Sequence, residues 1–187
     1  MCKVWVAAAA GVIRILFPSI LRAMLLRGSE QLPCRAYPFD VELYMFVLDA
    51  RLVQDTFTVG DFPLSRLLLS NDSNYPWFIL VPRRADIAEV FELSESDQLQ
   101  LWKETVTLSS LLNAAFKADK INVAALGNVV SQLHMHVIVR YRADVAWPAP
   151  VWGKHTAQPY SSEQVAALVR QLKDVLPDDF KFAQDLS

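Results

Sequence analysis

The chain has 187 residues, 53% of them hydrophobic, and a formal net charge of −2. That length and apolar content suit about one domain with a real core. The acidic balance, with a pI near 5.9, excludes a protein whose main task is gripping nucleic-acid backbone through bulk charge.

From Val4 to Leu26 the sequence is strongly apolar, interrupted by Arg14, Pro18 and Arg22. A spanning helix wants roughly 20 apolar residues, and two arginines inside the run are costly there. A signal peptide lacks a persuasive small-residue cleavage site after it. A membrane-surface helix with Arg14 and Arg22 on one face is a third reading, and a start-site artefact without domain function is a fourth. Arg27 to Pro38 reads as a polar, proline-containing linker. Residues 1–44 are therefore set apart as an extension, with membrane contact through residues 4–26 left open, and 45–187 as the domain. Cys2 and Cys34 match neither a disulfide framework nor a metal-ligand spacing, which points to a reducing, cytoplasmic setting.

Within the domain, Thr56 to Phe62 and Leu64 to Leu69 read as strands, followed by the turn-forming cluster 70–74. Trp77 to Val81 is a short apolar run ended by Pro82, which suits a buried strand. Ser94 is a good N-cap for a long helix running to Ala118, with Asp97 at the capping-box position. Leu99, Trp102, Val106, Leu108, Leu111, Leu112 and Phe116 supply its apolar periodicity. Ile121 to Leu126 suits a strand, Gly127-Asn128 a turn, and Gln132 to Tyr141 a last strand. A segment with Trp147, Pro148, Pro150 and Trp152 leads to a final helix over 162–176. The expected fold is α+β: an antiparallel sheet of about five strands, one long covering helix, and a C-terminal helix.

The chemistry concentrates in Gln132-Leu133-His134-Met135-His136. On a strand, alternate residues share a face, so Gln132, His134 and His136 project together and stand about 7 Å apart at ~3.3 Å per residue. Imidazole can be nucleophile, general acid or metal ligand near neutral pH. A satisfied half-buried pair is the plain alternative. A metal site with His155 as third ligand is another, although no carboxylate or thiolate lies at a telling interval.

The segment Asn122 to Arg140, with its glycine loop and alternating histidines, resembles the signature of the histidine-triad (HIT) superfamily. The run Pro76 to Arg84 is similar to that family's earlier strand. The resemblance extends over roughly Phe46 to Trp152. It implies a nucleotide hydrolase or transferase in which His134 attacks the α-phosphate and becomes transiently nucleotidylated. His136 would contact the phosphate region, and the first triad position is held by Gln132, which could orient His134 or hydrogen-bond a phosphate oxygen but cannot titrate. A glutamine also replaces a triad histidine, at a different position, in the related uridylyltransferase branch.

By the same resemblance, Asn122 would orient the nucleophile, Gly127 and Asn128 would form the phosphate loop, and Asp72 would bind ribose. Where relatives often carry Gln-Ser or Gln-Thr, this loop reads Asn128-Val129. Arg83, Arg84, Arg140 and Arg142 are cationic candidates for a polyphosphate, and Trp147 and Trp152 for shaping substrate choice. The implied substrates are dinucleoside polyphosphates or nucleoside phosphoramidates. No cofactor is required, though a divalent ion can accompany a polyphosphate. The implied assembly is a homodimer pairing its sheets. A nucleotide-binding module without efficient catalysis is the competing reading, motivated by Gln132 and Val129.

Overall fold

Alternation along the strands decides which side of the sheet each residue takes, and here both sides are used. The computed structural model describes residues 46–184; the extension 1–44 and its membrane readings lie outside the described residues. Six strands form one antiparallel sheet: β1 Thr56–Asp61, β2 Ser65–Ser70, β3 Trp77–Pro82, β4 Lys120–Ala124, β5 Met135–Arg140 and β6 Lys181–Phe182. Their order across the sheet is β4-β5-β3-β2-β1-β6. The helices are α1 Ala50–Asp55, α2 Glu95–Phe116 and α3 Ser162–Lys173, with a 3-10 turn at Val90–Glu92. The expected α+β class holds, with β6 as a sixth strand. Among the described residues no helix is long and apolar enough to cross a membrane.

One face of the sheet, carrying Leu67, Leu69, Phe78, Leu80, Met135, Val137 and Val139, packs against Leu101, Leu108 and Leu112 of α2 and Leu172 of α3. The other face is covered by α1 and by the segment that follows β5. Leu52 joins Leu68, Ile79 and Val81 there, and Tyr75 joins Ile138, Ala146 and Val151. Removing this much apolar surface from water is the main stabilising term.

Helix α2 turns inward only part of the expected stripe: Leu108 and Leu112 reach the core and Phe116 packs against it. Leu99, Trp102 and Val106 are exposed, while Leu101, Glu104, Thr105, Leu108 and Leu112 are buried. Both stripes have helical spacing. The buried one wins because Glu104 has partners inside: its carboxylate accepts the backbone N–H groups of Leu64 (2.7 Å) and Ser65 (3.0 Å) at the β1–β2 corner. Two main-chain donors that a sharp corner would orphan are thereby satisfied. At the N-terminus Ser94 caps the backbone of Asp97 as expected. Asp97 does not complete a capping box, because its carboxylate binds Arg84 at 2.7 Å through both oxygens.

A bulge separates Thr58 from Gly60 in the β1–β2 register, and Gly60 pairs with Phe182 of β6. A side chain at Gly60 would run into the Lys181 carbonyl oxygen and come within 2.8 Å of the Phe180 ring. The Lys181 carbonyl is fixed by the β1–β6 pairing and the Phe180 ring is packed between Phe62 and Phe182, so the strand must move. Gly60→Ala is expected to cost about 1–3 kcal/mol by overpacking, seen as a lower urea midpoint with unchanged slope.

Candidate functional site

Strand β5 begins at Met135, later than the expected start at Gln132. Residues 131–134 approach it as irregular chain, held by Leu133 N–H donating to the Ile87 carbonyl at 2.8 Å. His136 then pairs with Ile79 of β3 and Ala124 of β4. Both histidines are buried, and their ring centroids lie 4.7 Å apart with planes at 82°. The expected convergence of His134 and His136 is present.

Each ring has one nitrogen committed. His134 Nδ1 lies 2.6 Å from the backbone carbonyl oxygen of Gln132. A carbonyl only accepts, so Nδ1 carries the proton and Nε2 keeps an unshared pair. His136 is arranged the other way round. The indole N–H of Trp77 donates to its Nδ1 at 2.9 Å, which leaves the proton on Nε2. Burial, and then the neighbouring His134, push the His136 pKa down to about 3. Removal from water disfavours the charged ring.

Gln132 does not direct its side chain to a phosphate position alongside the histidines. Its amide is engaged at both ends: Oε1 accepts from Asp49 N–H (2.9 Å) and Nε2 donates to the Val47 carbonyl (2.8 Å). What reaches His134 from residue 132 is main chain. The expected amide contact is therefore corrected. The stretch before α1 needs partners for its backbone, and the Gln132 amide supplies one donor and one acceptor together. Asp49 in turn caps α1 through Arg51 N–H.

Asn122 is likewise engaged elsewhere than at the nucleophile, since its Oδ1 accepts from Arg140 at 2.7 Å. It pairs with Ile138 in the sheet, so it shares the Arg140 face of β5. Gly127 adopts φ +73, which suits glycine, and Asn128 is an exposed bend residue beside exposed Val129. Asp72 is buried, and its Oδ1 accepts from Asn74 N–H, the Asn74 amide and Gln158 N–H. It still lines a cleft of about 400 Å³ with Asn71, Trp77, Trp152 and His155.

Of the four arginines, Arg83 donates to the Phe62, Pro63 and Leu64 carbonyls, and Arg84 binds Asp97. Arg142 is exposed near Asp119. Arg140 is buried and grips Asp144 at 2.7 and 3.0 Å while donating to the Ala149 carbonyl. It also faces the rings of Tyr75 and Trp147. Thus Arg140 and Trp147 hold down the segment that carries Trp152, whose ring stands 5.3 Å from His136. His155 donates to the Val145 carbonyl. Among the described residues no three His, Cys, Asp or Glu side chains converge on one point, so His155 does not complete a ligand set with the pair.

Sequence reasoning missed Trp77. Its residue type suggests a core aromatic, but it sits opposite Ile138, two residues from His136 on the same face. The signal was parity between two strands whose pairing a single sequence does not reveal.

The HIT domain family model matches residues 51–143. A histidine triad protein from Bradyrhizobium japonicum is 43% identical, with a TM-score of 0.70, covering 71% of this chain and 99% of its own. One from Sinorhizobium meliloti is 46% identical at TM-score 0.69, covering 70% and 97%. Another, from Marinobacter aquaeolei, is 48% identical at 0.69, covering 71% and 96%. No curated protein matches the chain.

Proposed function

We propose, from the premise that the chain belongs to the HIT domain family, that it is a nucleotide hydrolase or transferase working through a nucleotidyl-His134 intermediate. The observation that carries this reading is the hydrogen bond from His134 Nδ1 to the Gln132 carbonyl at 2.6 Å. It aims an unshared Nε2 pair away from the backbone, as a nucleophile requires.

The Nε2 pair attacks the α-phosphorus of a nucleotide, and the bond from phosphorus to the leaving group breaks with its electrons. The ring becomes a cation while bonded to phosphorus, and the Gln132 carbonyl stabilises that charge through Nδ1–H. Water then attacks phosphorus, loses its proton to solvent, and the phosphorus–nitrogen electrons return to His134. His136, with a proton on Nε2, donates a hydrogen bond to a non-bridging phosphate oxygen as charge builds. The cleft beside Asp72 takes the nucleoside end, and Gly127 and Asn128 stand on the phosphate side. No step needs a cofactor, and a divalent ion enters, where it does, with a polyphosphate substrate.

The family further suggests a homodimer built by pairing sheets across two protomers. The chain's low cysteine content fits a cytoplasmic setting, while membrane contact through residues 4–26 would relocate the enzyme without changing the site. A second reading, nucleotide binding without turnover, is favoured by one observation: the Gln132 amide is already occupied.

Product analysis with diadenosine triphosphate and adenosine 5′-phosphoramidate separates the two. Turnover with a quench-trapped nucleotide adduct on His134 supports catalysis. Nucleotide binding with neither product nor adduct supports the binding module, and no binding at all sinks both.

A further inference from the structure

The geometry points to Trp77 as the residue that sets the substrate class, by holding His136 as a neutral Nε2–H donor that cannot protonate a leaving group, so that the enzyme cleaves phosphoanhydrides in preference to phosphoramidates. This rests on the proposed nucleotidyl transfer to His134 and adds which bond that transfer breaks.

Indole nitrogen has a proton and no acceptor pair, so the 2.9 Å contact from Trp77 to His136 Nδ1 has one possible direction. For His136 to act as an acid from its cationic form, Nδ1 would have to hold a proton as well. Two N–H groups would then meet head-on in a buried place. Neutral His136 still has its Nε2 proton, but giving it up would create an imidazolate, which no leaving amine can drive near neutral pH.

The surroundings reinforce this. Trp77 and Trp152 both stand edge-on to His136, at 5.4 and 5.3 Å between ring centroids, and against each other at 5.4 Å. The remaining neighbour with a titratable group is His134 at 4.7 Å. Among the described residues, nothing packed on the ring from β3, β4, its own strand or the Trp152 segment carries a negative charge to favour the cation. The depressed pKa of His136 agrees with the geometry.

Leaving-group chemistry then divides the substrates. A phosphoanhydride expels a phosphate or nucleotide oxygen that is stable as an anion, so the phosphorus–oxygen pair departs without a proton. A phosphoramidate must expel an amine, and its nitrogen has to be protonated before or as the phosphorus–nitrogen bond breaks. General-acid help of that kind is worth about 100-fold or more.

The test compares diadenosine triphosphate with adenosine 5′-phosphoramidate for wild type and Trp77→Phe. Wild type should favour the triphosphate in kcat/KM by about 100-fold. Trp77→Phe keeps a ring against His136 and removes the N–H. Phosphoramidate turnover should then rise about tenfold or more toward acidic pH, shrinking the ratio, a change that loss of packing would not produce. Equal wild-type efficiency on both substrates, or a ratio indifferent to Trp77→Phe, overturns the proposal. Histidine 15N NMR supplies a readout independent of turnover. His136 Nδ1 should stay unprotonated from pH 5 to 8 in wild type, and an imidazolium at pH 6 also overturns it. If neither substrate is cleaved and no His134 adduct forms, the nucleotidyl-transfer reading fails instead, while the NMR result still decides the state of His136.

Discussion

His134→Ala is expected to lower turnover of a cleaved nucleotide by roughly 10⁴-fold or more while leaving the fold and nucleotide affinity nearly intact. The size follows from what is removed. In the proposed mechanism the His134 imidazole forms the covalent bond to phosphorus, and its loss leaves direct attack by water as the route. His136 cannot stand in, because its unshared pair lies on Nδ1 beneath Trp77. Affinity should hold, since the cleft beside Asp72 does not use the His134 ring for its walls. Steady-state kinetics therefore ought to show kcat falling with KM little changed, and mass spectrometry of quenched enzyme no adduct. A His134→Ala enzyme that turned over as wild type does would remove this residue from the mechanism.

Arg140→Met should destabilise the domain by about 3–5 kcal/mol, the range for taking one partner from a buried ion pair. The Arg140 and Asp144 side chains are only 2% and 4% exposed, so water cannot replace the lost guanidinium. Burial by itself would lift the Asp144 carboxyl. Arg140 and the backbone N–H groups of Tyr141 and Ala146 outweigh it and hold the carboxyl below the usual carboxylate range. Without Arg140, the Asn122 Oδ1 and the Ala149 carbonyl lose a donor too. Equilibrium unfolding in urea measures the loss, and a double variant Arg140→Met/Asp144→Leu should recover a large part of it. Failure of the double variant to recover would mean that the arginine acts mainly by anchoring the chain to Ala149. Either variant should also loosen the Trp152 segment, visible as a change in tryptophan fluorescence.

Much of this architecture was legible because apolar alternation and capping are local. The β1–β2 pair, β3 ending at Pro82, and the Ser94 cap of α2 needed no tertiary information, and the convergence of His134 and His136 was legible from their spacing although His134 lies just before β5. What stayed hidden depended on partners distant in the chain. The orientation of α2 turned on Glu104 finding two backbone donors forty residues away. Helix α1 is six residues long and β6 two, too short for a periodic signal. The place of Gln132 beside the histidines suggests an amide turned to His134 or to a phosphate, but the chain at Val47–Asp49 has the stronger claim on it. Arg140 is a charged residue in a buried strand, and only Asp144, Asn122 and Ala149 together make that place tolerable.

Residue 132 touches two things at once: its side chain clasps the backbone of Val47 and Asp49, and its carbonyl orients His134. Any displacement of the stretch Val47–Asp49 is thus linked to His134 through a single residue. Linkage is reciprocal, so a ligand that alters the charge on His134 also alters how firmly the stretch Val47–Asp49 is latched. Hydrogen exchange at the Asp49 amide should therefore slow when nucleotide occupies the site, making a backbone position outside the cleft a gauge of what happens within it.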